Sequence, residues 1–548
     1  MSSHARGPVP ANDIDERLPE GSTPVEGLVI KGLDEAKTDG IDPRASLDLK
    51  GADKEATAGD EETGQGPLYV EFGQNDPRDP MQFSYARKWA ITILSSYATL
   101  LASMTATAYS MGYQTMCTDL GCTDFRATVG LSLYQLGFGV VPLVTSSFSE
   151  EVGRQPLYFV SAGGFLLMFL LIALAPNSAA VLVGRFLQGG FGSTWATLVS
   201  GTIADIWAPK DRGMPMALFA VAAIGGSAVG PLMGGWTEMN GKLGWKWIEW
   251  IMMIMTALYL VLLPFVLKET RSSVLLRRLA VKIRKETGDA RYRARIEDEH
   301  VKLRTLIWIS TTRPLYLLFT EPIVSSFSLW ISFAWGVMFA LLESVPIIFK
   351  ELYNFNSGQL GTVFVAILVA TILGYLTNFY QERMYRTNFP IRGAESRLYG
   401  ACAAAILLPV GTFIYAWTSF SYVHWIAPII GIVLLMWAVF VIYLAVFTYL
   451  ADAYGPFASS ALAGQSLCRN MAAMSFPLFT RQMYKALGYH WASTLFACIA
   501  TLLIPIPYVL FFFGPKIREH SKFSRQVLAV QQRTLVADDT PTTTTEKR

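Results

Sequence analysis

Cysteine, charge and the motifs of soluble enzymes are scarce in this sequence. Five cysteines in 548 residues are too few for a disulfide scaffold and carry no zinc-ligand spacing. The chain contains no G-x-x-x-x-G-K-[ST] and no H-E-x-x-H, so it offers neither an ATP-phosphate loop nor a zinc-protease helix. Its histidines are scattered at 4, 300, 424, 490 and 520, so no metal or other cofactor, and no enzyme activity, is expected. No N-x-[ST] sequon occurs, which excludes N-glycosylation. The first 86 residues have no apolar run of the kind a signal peptide needs. Charged residues make up only 16%, against about 25% in soluble domains. The formal net charge is +3, and the basic residues sit beside apolar runs with no soluble domain to present them. That arrangement excludes a nucleic-acid partner.

What is abundant is apolar sequence, 52% of residues, with a mean hydropathy of +0.35; the chain's partner is the lipid bilayer. Residues 179–236 organise the rest. They read as two long apolar helices joined by Ala208-Pro209-Lys210-Asp211-Arg212-Gly213. About 20 apolar residues suffice to span a bilayer. Arg185 lies inside the first helix, where an unpaired charge costs at least about 2.5 kcal/mol. The second helix carries Gly226, Gly230, Pro231, Gly234 and Gly235. Glycines three or four apart allow close backbone approach, and proline permits a bend.

Twelve spans are expected, near 89–111, 127–148, 156–175, 179–206, 214–236, 246–267, 322–349, 357–380, 397–418, 424–450, 459–484 and 490–513. The domain reading is a disordered tail over 1–86, a six-helix bundle over 87–267, a basic central loop over 268–320, a second bundle over 321–514 and a tail over 515–548. Between Lys268 and Arg313 there are 13 Lys/Arg against six Asp/Glu. Arg154, Lys210, Arg212, Arg383, Arg386, Arg392 and Arg397 share that side, which the positive-inside rule makes cytoplasmic together with both termini. An internal repeat appears: Ala204-Asp205-Ile206-Trp207-Ala208-Pro209 closes span four and Ala451-Asp452-Ala453-Tyr454-Gly455-Pro456 closes span ten. Two six-span halves are the parallel-repeat plan of secondary transporters, with the substrate site between halves. The fold class is an all-α membrane protein of two pseudo-symmetric bundles, expected as a monomer.

These residues resemble the major facilitator superfamily, specifically its fungal twelve-span drug:proton antiporters, over roughly 75–525. Ser149-Glu150-Glu151-Val152-Gly153-Arg154-Gln155-Pro156 is similar to the superfamily's gating motif, with Gln155 replacing a second basic residue. Gly184-Arg185-Phe186-Leu187-Gln188-Gly189 resembles the fourth-span motif, and Gly226 to Gly235 the fifth-span antiporter motif. Gly244-Trp245-Lys246-Trp247, Leu267-Lys268-Glu269-Thr270, Glu321-Pro322-Ile323 and Arg469 with Phe476-Pro477-Leu478-Phe479 also match the fungal group. The resemblance implies proton-driven efflux of an organic compound at the plasma membrane.

Each candidate residue has two readings. Arg185 either biases a carboxylate during proton exchange or ties span four to carbonyls of span one. Glu343, an intramembrane carboxylate in span seven, is either a proton carrier or an outer-gate acceptor. Arg154, Asp205, Arg397 and Asp452 are either charge pairs of a cytoplasmic gate that break on inward opening or solvated end charges, and Glu150, Gly153 and Arg212 belong to the same candidate gate. The span-five glycines form a packing seam that also seals against proton leak. If the resemblance holds, the cavity wall includes Tyr97, Gln188, Trp195, Trp330, Trp335, Trp437, Tyr443 and Arg469. Cys117 and Cys122 share the first outer loop and are candidates for a disulfide, the alternative being two free thiols. Span one has no carboxylate, which disfavours a polycation. The expected substrate is a bulky amphipathic small molecule, neutral or weakly charged: a secondary metabolite such as a toxin or glycolipid, with xenobiotic drugs as incidental cargo. A polyamine exporter, a proton-symport nutrient importer and a non-transporting sensor are the rival readings.

Overall fold

The computed structural model describes residues 28–31, 67–73, 76–208, 211–298, 303–521 and 523. They fall into two compact units. In the larger, nine helical stretches among the described residues are long and apolar enough to cross a membrane. One of them, Ser357–Thr418, is 62 residues long and turns back through the 3-10 segment Gly393–Leu398. It therefore supplies span eight (Ser357–Val363 and Val365–Arg392) and span nine (Tyr399–Thr418). Ser178–Ile206 and Ala458–Leu487 are more polar but 29 and 30 residues long. They are spans four and eleven, and their polarity fits helices that face protein and cavity rather than lipid. The count reaches the twelve expected.

The other spans are Tyr85–Ala108, Asp124–Val140, Arg154–Ala173, Gly213–Met239, Gly244–Val266, Pro322–Tyr353, Ile426–Tyr454 and Tyr489–Leu502 with Pro505–His520. Side-chain caps start spans two, four and eight, at Thr123, Asn177 and Asn356. Asn177 Oδ1 accepts from Ala180 N at 2.9 Å, and Asn356 and Gln359 close a reciprocal capping box at 2.9 and 3.0 Å, each satisfying donors left open at a helix start. Span one does not end at a loop. It continues through Tyr109–Gly112 into Tyr113–Leu120, which stops at Gly121 in the left-handed conformation (φ 60°). Cys117 therefore sits on a helix and Cys122 just past its cap. Of the two readings, two free thiols holds, with Cys122 N donating to Cys117 O at 3.2 Å.

The smaller unit comprises residues 1–82 and 272–300. Strand β1 (Leu28–Lys31) pairs antiparallel with β2 (Leu68–Phe72), which pairs parallel with β3 (Tyr292–Arg293). Helix Ser272–Thr287 covers them, burying Ala280 and Ile283 with Val70 and Tyr292. Thus the tail expected to be disordered contributes two strands, and the expected basic loop contributes a helix and the third. The five-residue run Leu-Tyr-Val-Glu-Phe cannot bury itself alone; its cover comes from residues some two hundred positions on. Of the two tails, residues 1–27, 32–66, 74–75, 522 and 524–548 lie outside the described residues.

Candidate functional site

Between the two helical halves lies a cavity of about 270 Å³. It extends from Trp335 and Tyr443 to Ser149, Arg154 and Ser459 at the basic end of the bundle. Of the eight side chains expected in its wall, Trp335, Tyr443 and Arg469 line it. The others point elsewhere. Trp195 and Trp330 are fully buried among Phe165 and Tyr259, and Phe327, respectively. Tyr97 packs on Tyr259, and Gln188 faces Arg185. Trp437 donates to Thr377 Oγ1 at 3.2 Å in a separate crevice between spans eight and ten. Only one stripe of each helix meets the cavity, and isolated aromatics do not reveal which stripe. Sequence reasoning missed Gln135 and Phe138 of span two, Ser227 of span five and Gln465 and Asn470 of span eleven, which do line it.

At the opposite end the halves are latched. Arg481 Nη1 pairs with Asp124 Oδ2 at 2.8 Å, and Trp236 Nε1 donates to Thr362 Oγ1 at 3.1 Å. Glu343, 5% exposed, accepts from Thr128 Oγ1 at 3.5 Å and faces the Tyr113 hydroxyl. It sits in the seal between halves, outside the cavity wall.

Arg185 has no exposed surface. It donates to Thr105 O at 3.1 Å, Ala106 O at 3.3 Å and Gln188 Oε1 at 2.9 Å, with the rings of Tyr109 and Tyr134 at 4.2 and 4.5 Å. The tie to span one is therefore present. So is a carboxylate the sequence reading passed over: Glu249 of span six, 3% exposed, whose neighbours are Arg185 and Gln188. Glu249 Oε2, Gln188 Nε2 and Arg185 Nε have no hydrogen-bond partner among the described residues. The signal was an acid inside Trp247-Ile248-Glu249-Trp250, which reads as interfacial because tryptophans favour the membrane edge.

The span-five seam is as close as its spacing implies. A methyl carbon at Gly226, Gly230 or Gly234 would lie 2.5–2.9 Å from the carbonyls of Leu100, Met104 and Ala108 in span one. One at Gly235 would lie 2.4 Å from Ser357 O of span eight. Pro231 sits between them, within the helix. One glycine helix thus touches both halves at once.

At the basic end the ion pairs among the described residues lie within halves. Arg154 binds Asp205, which Arg271 also approaches at 3.7 Å. Arg397 binds Glu382 at 2.8 Å and Asp452 at 3.0 Å, with the Tyr385 ring at 3.3 Å. Gly153 (φ 102°) opens span three, and Glu269 accepts from Arg154 N at 3.0 Å, Gln155 N at 3.3 Å and Arg271 N at 3.0 Å. Glu269, read from the sequence only as part of a fungal-group motif, is buried here. Arg212 donates to Ala204 O at 2.7 Å and Trp207 O at 2.8 Å, capping span four. Burial holds its pKa below the usual arginine value against the raising effect of Asp205 and Asp452. The side chain of Glu150 lies outside the described residues.

Comparison with known proteins gives one pattern. A sequence model described as the Major Facilitator Superfamily matches residues 95–458. Efflux pump FUB11 of Gibberella moniliformis is 33% identical over 86% of this chain and 80% of its own length. The ascochitine biosynthesis cluster MFS transporter of Didymella fabae is 33% identical over 84% of this chain and 91% of its own. Among solved structures, the proton:xylose symporter XylE superposes with a TM-score of 0.57 over 79% of this chain and 96% of its own, at 14% identity.

Proposed function

This chain belongs to the Major Facilitator Superfamily, among its fungal efflux transporters, and from that premise we propose that it is a proton-driven exporter of amphipathic organic small molecules. The observation that carries the reading is the cavity between halves, latched at Asp124–Arg481 and reaching the basic end. That is one side of an alternating-access cycle. If the basic end is cytoplasmic, this is the loading state. The glycine seam keeps spans one and five in contact while the halves rock, which limits proton leak.

Two buried acids serve the proton. Glu343 in the outer seal and Glu249 beside Arg185 both lie inside spans, where an ionisable group is costly and functional by default. A proton entering from outside neutralises a carboxylate and favours the inward-facing state. Substrate loads, the proton leaves inward, and the return carries substrate out. Among substrates, a secondary metabolite made by the same cell fits the relatives' printed roles best, with xenobiotics as incidental cargo. The plasma membrane is the membrane this direction of transport needs, and one copy contains the whole cavity.

The test compares metabolites inside and outside cells with and without the gene, followed by transport of the identified compound into vesicles with an imposed pH gradient. Retention of a native compound in the deletion strain, and gradient-dependent transport, are the expected results. Transport indifferent to the gradient would refute proton coupling. Unchanged metabolites with accumulation of added drugs would move the reading to general multidrug export.

A further inference from the structure

The cavity carries an unbalanced positive charge. Arg154 in its wall is matched by Asp205. Arg469, 8% exposed, has no carboxylate within ion-pair distance among the described residues. It is stacked against Trp335 at 4.6 Å and Tyr443 at 5.0 Å. Its Nη2 donates to Ser466 Oγ at 3.3 Å, while its Nε has no partner. One turn earlier, Gln465 is 2% exposed and its Nε2 is also without a partner. Among the described residues no Asp or Glu lines this cavity.

A guanidinium inside a span costs at least about 2.5 kcal/mol without a partner. Two aromatic faces return part of that, about 0.5–2 kcal/mol each, but they leave planar donors unused. The missing complement is an acceptor that brings negative charge. A carboxylate meets the guanidinium fork in two parallel hydrogen bonds, and a flat ring attached to it can lie against the Trp335–Tyr443 stack, whose rings are 5.3 Å apart. A cation would meet repulsion. At about 270 Å³ the site falls just below the roughly 300–1,000 Å³ of drug-sized pockets, which suits one or two rings rather than a glycolipid.

We propose that the substrates are compact aromatic organic acids, bound as anions with Arg469 as the anchor, Gln465 as a second donor, and the stacked Trp335–Tyr443 pair as one aromatic wall. This deepens the export reading and rests on this cavity being its substrate site. It narrows the neutral-to-weakly-charged expectation to one sign of charge, and it disfavours the polyamine alternative.

The test measures binding by calorimetry to the purified full chain in lipid nanodiscs, using three probes of one shape: 2-naphthoate, neutral 2-naphthamide and cationic 2-naphthylmethylammonium. In the wild type, 2-naphthoate should bind at least about tenfold more tightly than the amide, and the cation more weakly still, since about 1.4 kcal/mol is tenfold. Arg469→Gln should erase the difference between acid and amide while keeping the amide's affinity, which also shows that the variant is folded. Arg469→Lys should keep part of it, because the charge remains without the fork. Equal affinity for acid and amide, no binding of 2-naphthoate by folded protein, or a preference unchanged in Arg469→Gln would each overturn the proposal. Binding is read without a gradient, so the two readings fail separately. A chain that binds 2-naphthoate but ignores a pH gradient sinks proton coupling alone. One that exports neutral compounds and ignores 2-naphthoate sinks this inference alone.

Discussion

Arg185 spends its donors on span-one carbonyls and Gln188, not on a carboxylate, yet Glu249 is its neighbour. A buried acid beside a buried base that is engaged elsewhere can change partners, and that makes Glu249 the sharper residue to test. We expect Glu249→Gln to cut pH-gradient-driven transport by about tenfold, the effect of about 1.4 kcal/mol on the coupled step. Substrate exchange without a gradient should continue. Glu343→Gln should behave differently, because its carboxyl also accepts from Thr128 in the seal: loss of coupling there should come with altered opening of the outer end. A pH-sensitive dye inside vesicles, read alongside substrate flux, checks both. Full gradient-driven transport by Glu249→Gln would reduce that residue to a packing role. Glu343 was legible because it stands alone in an apolar run. Glu249 was not, because its tryptophan neighbours imitate a membrane boundary.

Span five shows the opposite case, where spacing alone was informative. Glycines at 226, 230 and 234 repeat every four residues and therefore share one helix face, and that face meets span one. A neighbouring glycine gives the control. A methyl at Gly225 would find nothing nearer than Leu368 at 3.7 Å, whereas one at Gly230 would lie 2.5 Å from Met104 O and 2.4 Å from Thr107 Oγ1. Gly230→Ala should destabilise the protein by about 1–3 kcal/mol, the usual cost of overpacking, and Gly225→Ala by much less. Thermal unfolding of the two variants in the same detergent reads the difference directly; equal unfolding temperatures would mean the seam is looser than its geometry. The cavity wall had no such period to read. Its aromatics occur singly, so Trp195, Trp330 and Trp437 were expected where Gln135, Gln465 and Asn470 stand. The small sheet was hidden for another reason: β2 and β3 are joined only by contacts more than two hundred residues apart, which local pattern cannot report.

Across the whole molecule the two halves hold each other at one end and not, by ion pairs among the described residues, at the other. Arg154–Asp205 and Arg397–Asp452 each lie within one half, while Asp124–Arg481 bridges the two. The bridge is partly exposed, with 31% and 55% of its side chains accessible, so its worth is that of a surface pair, about 0.2–1 kcal/mol. That small energy is enough to matter if the inward- and outward-facing states lie within a few kcal/mol of each other. Removing it by Asp124→Ala should shift the balance toward outer opening by up to about fivefold. A cysteine placed at Gln135 in the cavity wall, in a chain cleared of its own thiols, should then label faster from the outer side. One placed at Ser459, at the basic end of the same cavity, should label more slowly from the inner side, because one population feeds the other. The paired exchange Asp124→Arg with Arg481→Asp should return both rates toward wild type, whereas either reversal alone places like charges together and should open the outer end further. Rates that ignore all of these changes would locate the latch elsewhere in the seal, in the Trp236–Thr362 and Gly235–Ser357 contacts between spans five and eight.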